Sequence, residues 1–185
     1  MKVKTSSRSK KVVLELESGD AGLPPVPVPE LRVKQILVPV DFSDASRKAL
    51  HYAQSLGRQF HSELMILHVI VHVPPPQTLV IETEIFSTEY HEQAAKQLAE
   101  WRKDVSGPAT VKAVVRQGLS AHHEIVEMAR ECNSDLIVIG NTGRSGLARM
   151  VLGSTAERVV RHAPCPVLVV RDSEHDFLEE RADNT

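Results

Sequence analysis

The residues best suited to chemistry lie in one run, Gly140-Asn-Thr-Gly143-Arg144-Ser-Gly146-Leu-Ala-Arg-Met-Val-Leu-Gly153-Ser154-Thr155. An apolar stretch, Leu136-Ile-Val-Ile139, precedes it, and a helix-like stretch from Ala156 to His162 follows. Glycines at a strand-to-helix junction let the backbone approach a ligand closely, because they carry no Cβ. Unsatisfied N–H groups at the start of the next helix then form an anion site. Ser154 can cap that helix or donate its hydroxyl to a phosphate, Thr155 adds a second hydroxyl, and Arg144 adds charge from the side. The chemistry is that of holding a phosphate. The usual phosphate motifs are absent: no Gly-Lys pair marks a Walker A loop, and no Gly-x-Gly-x-x-Gly marks a dinucleotide fold.

The elements that must position this run alternate. Ile36-Leu-Val-Pro-Val40, Glu63 to Val71, Thr110 to Arg116, Asp135 to Gly140 and Pro166-Val-Leu-Val-Val170 read as five strands. Helical spacing intervenes: Ala45, Ala49, Leu50, Ala53 and Leu56 behind a cap at Ser43 or Asp44; then Thr83 to Val105, with Ala94, Ala95, Leu98 and Trp101 on one face. A third helix follows Ser120, with Ile125, Val126, Met128 and Ala129 inside it, and the last starts at the capping-box spacing Ser154-Thr-Ala-Glu157. Apolar strands separated by helices imply a parallel α/β sheet, five-stranded and open, covered on both faces. Ligands bind such sheets beyond the carboxyl ends of the strands, where strand order reverses. If the first and fourth strands are neighbours, Asp41 and the glycine run face one crevice. Beside phosphates a carboxylate would repel, so Asp41 makes better sense at the end of the crevice away from them.

The rest of the chain bounds the partners. Its 185 residues suit one domain with tails. A net charge of −2 gives no reason to expect nucleic acid or an anionic membrane as a partner. Apolar runs stay well short of the roughly 20 residues that span a bilayer, and no secretory signal is expected, so the expected location is cytoplasmic. Residues 1–32 read as an extension, basic at first and then rich in proline, with Val12-Val-Leu-Glu-Leu-Glu17 as a possible edge strand. Residues 33–171 form the domain, and 172–185 an acidic tail. Cys132 and Cys165 read as reduced, mostly buried thiols. His68 and His72 share a strand face without a third ligand, so no metal site is expected. The pair His122-His123 is expected to be exposed. No catalytic Ser–His–Asp arrangement is evident.

The spacing Gly140-x2-Gly143-x9-Gly153-Ser154 resembles that of nucleotide-binding members of the universal stress protein family. The opening Ile36-Leu-Val-Pro-Val-Asp41, the strand ending Leu67-His-Val69 and the closing Ala163-Pro-Cys-Pro-Val-Leu-Val-Val170 resemble it too, so the likeness runs from Lys34 to Arg171. The resemblance implies a Rossmann-like sheet of order 3-2-1-4-5, usually a homodimer, binding ATP. By position it places Asp41 and the Val69 backbone at the adenine, with Pro39 and Val40 lining the pocket. Gly140 falls at the ribose, and Gly143, Arg144, Gly153, Ser154 and Thr155 at the phosphates, with Gly118 at the pocket's edge. Thr142 stands where the family often has histidine, so the resemblance carries over the backbone contacts there and not a histidine side-chain role.

The expected function is therefore a stress-response or regulatory protein that acts through nucleotide-dependent conformation or assembly. Hydrolysis is expected to be slow at most, because fast phosphoryl transfer needs metal and positioned bases. Any Mg2+ would arrive with ATP and be held mainly by its phosphates. An ATP-using enzyme of the related adenine-nucleotide α/β group is the alternative, but such enzymes often carry Ser-Gly-Gly after the first strand, and this chain has Asp41-Phe-Ser-Asp44. A phosphoacceptor receiver domain fails on Gly118 and Cys165-Pro166, which occupy the places of its aspartate and its lysine-proline pair. A nucleotide-free scaffold dimerising through residues 166–170 remains the other alternative, and the same strand is the expected homodimer contact.

Overall fold

The computed structural model describes residues 2–5, 12–15, 30–72, 80–108, 110–143 and 152–171. The chain divides into two compact units, Met1–Leu31 and Arg32–Thr185. In the first, β1 (Lys2–Thr5) pairs antiparallel with β2 (Val12–Glu15), Thr5 opposite Val12. The strand expected near residue 12 thus exists, but it pairs with β1 rather than forming an edge of the main sheet.

The second unit runs β3 (Gln35–Val40), α1 (Asp44–Phe60), β4 (Glu63–Val71), α2 (Val80–Lys103), β5 (Thr110–Gly118), α3 (Ala121–Glu131), β6 (Leu136–Gly140), α4 (Ser154–His162) and β7 (Val167–Val170). Its strands are all parallel, in the order β5-β4-β3-β6-β7. Counted within this unit, that is the expected 3-2-1-4-5.

Alternation along each strand explains the two covered faces, because successive side chains point to opposite sides of a sheet. Ile36, Val38, Val40, Leu64, Ile66 and Val138 turn to one side and pack with Ala49 and Ala53 of α1 and Leu98 and Trp101 of α2. Leu37, Leu67, Ile137 and Ile139 turn to the other and pack with Ile125, Met128 and Ala129 of α3 and Ala156 and Val159 of α4. Burial on both faces is why these strands read as continuous apolar runs. Ile66, fully buried in the second strand of the sheet, tests this packing. Ile66→Ala is expected to cost about 3 kcal/mol in chemical denaturation, and a loss below about 1 kcal/mol would contradict the packing described.

Local signals set the helix ends. Ser43 caps α1, its side chain accepting from the Ser46 N–H, and His61 ends the helix in the left-handed region at φ 56°. On α2, Ala94, Leu98 and Trp101 are buried as their spacing predicts, but Ala95 is exposed: it sits one residue off the stripe that faces the sheet. The expected capping box on α4 is also displaced. Gly153 is the N-cap, no side chain caps the helix, and Ser154 is its first residue. Glu157, freed from a capping role, pairs one turn on with Arg161 at 2.9 Å.

Candidate functional site

In the sheet β3 lies between β4 and β6, and its connections run both ways, so the order reverses between β3 and β6. Chains leaving neighbouring strands in opposite directions open a crevice at their carboxyl ends. Asp41 stands at one lip and Gly140-Asn141 at the other. The condition on which a shared crevice depended, neighbouring first and fourth strands of the sheet, is met by the pairs Ile36–Leu136 and Leu37–Ile137.

Pro39, Val40, Asp41, Val69, Gly140, Gly143, Gly153, Ser154 and Thr155 line this one cleft. Gly118 lies elsewhere: it ends β5 opposite Val71, and its carbonyl accepts the His72 N–H at 2.9 Å. It is not among the lining residues. Arg144 falls outside the described residues. Sequence reasoning missed Ser46, Leu67, Ala121, Ile125, Ile139, Asn141, Thr142 and Ala156, which also line the cleft. A parity signal existed for some of them. Pro39, Leu67, Val69 and Ile139 belong to the strand positions facing α3 and α4, and Ala121 and Ile125 lie one helical turn apart.

The cleft has three chemically distinct parts. Pro39, Leu67, Val69, Ile125 and Ile139 make an apolar wall. The α4 N-terminus makes an electropositive end. The first N–H groups of a helix have no acceptor within it, and here no side chain supplies one. The Glu157 N–H returns to the Gly153 carbonyl at 2.9 Å, so the donors of Ser154, Thr155 and Ala156 precede the first intrahelical bond. Gly153 itself is not a donor to the cleft, because its N–H is given to the Asn141 carbonyl at 2.7 Å. That bond draws the two ends of the glycine run together.

The third part is Asp41. Its Oδ1 accepts from the Ser43 N–H at 3.1 Å and the Ser43 hydroxyl at 2.5 Å, and its own N–H donates to Ser46 Oγ at 3.4 Å. Its Oδ2 faces Gly143, where an added Cβ would stand 2.7 Å away. A side chain at Gly143 would therefore displace the carboxylate. At Gly140 a Cβ would come within 2.9 Å of the Ala45 backbone, so this glycine lets the start of α1 pack onto the end of β6.

Of the histidines, His68 is buried, with Nδ1 2.8 Å from the Val40 carbonyl. Among the described residues no group of three or more His, Cys, Asp or Glu is placed to hold a metal ion. His123 is exposed as expected, but His122 is half-buried against α4, its Nδ1 2.6 Å from Ser120 Oγ. Burial first, then Arg158, His162 and His123, lowers its pKa below the usual histidine value. Its neutral form is thus favoured on folding, so its contribution is present above the unfolded pKa near 6.5 and is lost as pH falls through the lowered folded value. The drop in unfolding free energy between pH 8 and pH 5 is expected to be smaller in His122→Gln than in wild type. Equal drops would contradict this. Cys132 and Cys165 are free thiols, both half-buried, and burial raises the Cys165 pKa.

Comparison with known proteins reaches the same region. A sequence model of the universal stress protein family matches residues 32–171. A universal stress protein of Methanocaldococcus jannaschii is 35% identical over 146 residues, covering 75% of this chain and 82% of the relative. The solved structure of the universal stress protein UspA from Lactobacillus plantarum is 29% identical, with a TM-score of 0.70, and covers 77% of this chain and 100% of that one. A universal stress protein solved in complex with cAMP shares the fold at a TM-score of 0.58 and 23% identity, covering 76% of this chain and 98% of its own.

Proposed function

The chain belongs to the universal stress protein family, and from that premise we propose that it holds ATP in the cleft between β3 and β6 and reports on it through conformation or assembly. One observation carries this reading: an aspartate and an uncapped helix N-terminus face the same apolar-walled cleft. The wall suits a purine, the carboxylate suits its amino group, and the helix end suits phosphates. A solved relative of the same fold is a complex with cAMP, an adenine nucleotide.

In this reading Pro39, Val40 and Val69 flank the base, Asp41 accepts from it, and Gly140 lies at the ribose. Gly143, Arg144, Ser154 and Thr155 take the phosphates, with Ala156 as a further N–H donor. Gly153 serves by bringing the α4 N-terminus within reach. Magnesium, where present, is held by the phosphates. Hydrolysis is slow at most, because no Walker-type lysine accompanies the phosphate site. The protein is proposed to act in the cytoplasm; no described helix is long and apolar enough to cross a membrane.

Mass spectrometry of small molecules released from protein purified without added ligand tests occupancy and identity together. Recovery of an adenine nucleotide supports the reading, and consistent recovery of a different ligand class would overturn it. Assembly is proposed through β7, which lies at the sheet edge with Leu168 36% exposed. A strand edge offers unpaired N–H and C=O groups to a second copy. Light scattering is expected to give the mass of a dimer, and a monomer at high concentration would contradict it.

A further inference from the structure

Between Asp41 and the cap of α1 stands Phe42, with φ at 67°. A bulky aromatic residue rarely adopts that left-handed conformation, and it persists only where its neighbours over-determine it. Two neighbours do so here. The Phe42 ring lies 4.4 Å from the His68 ring, centroid to centroid, and meets Trp101 edge-on at 5.3 Å. The Arg47 guanidinium covers the Trp101 ring at 4.1 Å. His68 is fixed in turn by its bond to the Val40 carbonyl. A carbonyl only accepts, so Nδ1 carries the proton. One buried imidazole therefore grips both the residue before Asp41 and the ring after it.

The turn at Phe42 has a consequence for the carboxylate. It returns Ser43 towards Asp41, so that the Ser43 N–H and hydroxyl both reach Oδ1. This is the arrangement by which an aspartate bonds its own backbone two residues on. With Oδ1 engaged by Ser43, Oδ2 lies on the side of Gly143, and Asp41 and Gly143 both line the cleft. A right-handed or extended Phe42 would carry Ser43 away and let the carboxylate rotate.

We infer that Phe42 and His68 are positioning residues that set the base preference of the cleft. They hold the Asp41 carboxylate where it accepts from the adenine amino group and repels the carbonyl that guanine presents in its place. The inference rests on the nucleotide reading above. Neither residue lines the cleft, so both act through Asp41.

The test measures dissociation constants for ATP and GTP, with thermal midpoints, on the full chain. Wild type is compared with Phe42→Leu, Phe42→Gly, Phe42→Tyr and His68→Leu. Wild type is expected to prefer ATP by at least about tenfold, as one well-placed polar contact allows. In Phe42→Leu and His68→Leu the preference is expected to fall to within about threefold of parity, and Phe42→Tyr is expected to restore it. Phe42→Gly keeps the left-handed turn accessible without the ring that pins it, so it covers the case in which Phe42→Leu fails to fold. It too is expected to lose the preference. A purely packing role would lower the thermal midpoint while leaving the ratio of the two affinities at its wild-type value, and that result in a folded variant overturns the inference alone. Wild type binding neither nucleotide overturns the nucleotide reading and this inference with it.

Discussion

Gly153→Val is expected to weaken ATP binding on the order of a hundredfold, equivalent to about 3 kcal/mol, while the protein stays folded. The backbone at Gly153 has φ −60° and ψ 146°, which valine adopts readily, so the loss does not come from backbone strain. It comes from space. A Cβ there would stand 3.0 Å from the Asn141 carbonyl, which receives the Gly153 N–H. The two valine methyls extend beyond that point, beside the N–H groups of Ser154 and Thr155. Either they fill the approach to the helix end or they push α4 away from Asn141. Both remove an anion from the donors that hold it, where hydrogen bonds to a charged group are strongest. Gly153→Ala, with no methyls beyond Cβ, is expected to lose far less. Calorimetry on the two variants decides the matter, and Gly153→Val binding ATP as wild type does would show that the α4 N-terminus does not take the phosphates.

Asp41→Ala carries the second large effect, because Asp41 has two roles at once. It presents a carboxylate to the cleft, and it anchors Ser43, the cap of α1. ATP affinity is expected to fall about thirtyfold, near the 2 kcal/mol that a lost charged acceptor costs, and the preference over GTP is expected to vanish. Unfolding free energy is expected to fall by about 1 kcal/mol as the cap loosens. Asp41→Asn keeps an oxygen for Ser43, so its stability should stay near wild type while its base preference still suffers. The contrast separates the two roles. Unchanged ATP affinity in Asp41→Ala would remove the residue from the site.

Most of the sheet was legible in the chain, because strands buried on both faces leave uninterrupted apolar runs such as Leu136 to Ile139. The glycine run and Asp41 were legible as features of two strand ends, and the family resemblance supplied the strand order that brings them together. What stayed hidden depends on three-dimensional neighbours. Nothing about Phe42 in the sequence announces a left-handed turn, since that conformation is imposed by His68 and Trp101, 26 and 59 positions away. The capping box at Ser154 misled because the spacing is right but the helix starts one residue early, at Ser154 itself, so the N-cap is a glycine whose N–H is claimed by the Asn141 carbonyl. Ala95 misled because helical spacing tolerates a neighbour just off the buried stripe. Ser46 was missed as a cleft residue since its hydroxyl looks outwardly like any helix serine, yet it accepts from the Asp41 N–H.

The central claim is that one cleft binds an adenine nucleotide by its base at Asp41 and its phosphates at α4. Calorimetric titration of ATP into the purified, nucleotide-free wild-type protein tests it most directly. One nucleotide per chain is expected, with a dissociation constant in the micromolar range or tighter, about −8 kcal/mol. No binding at millimolar ATP would contradict it.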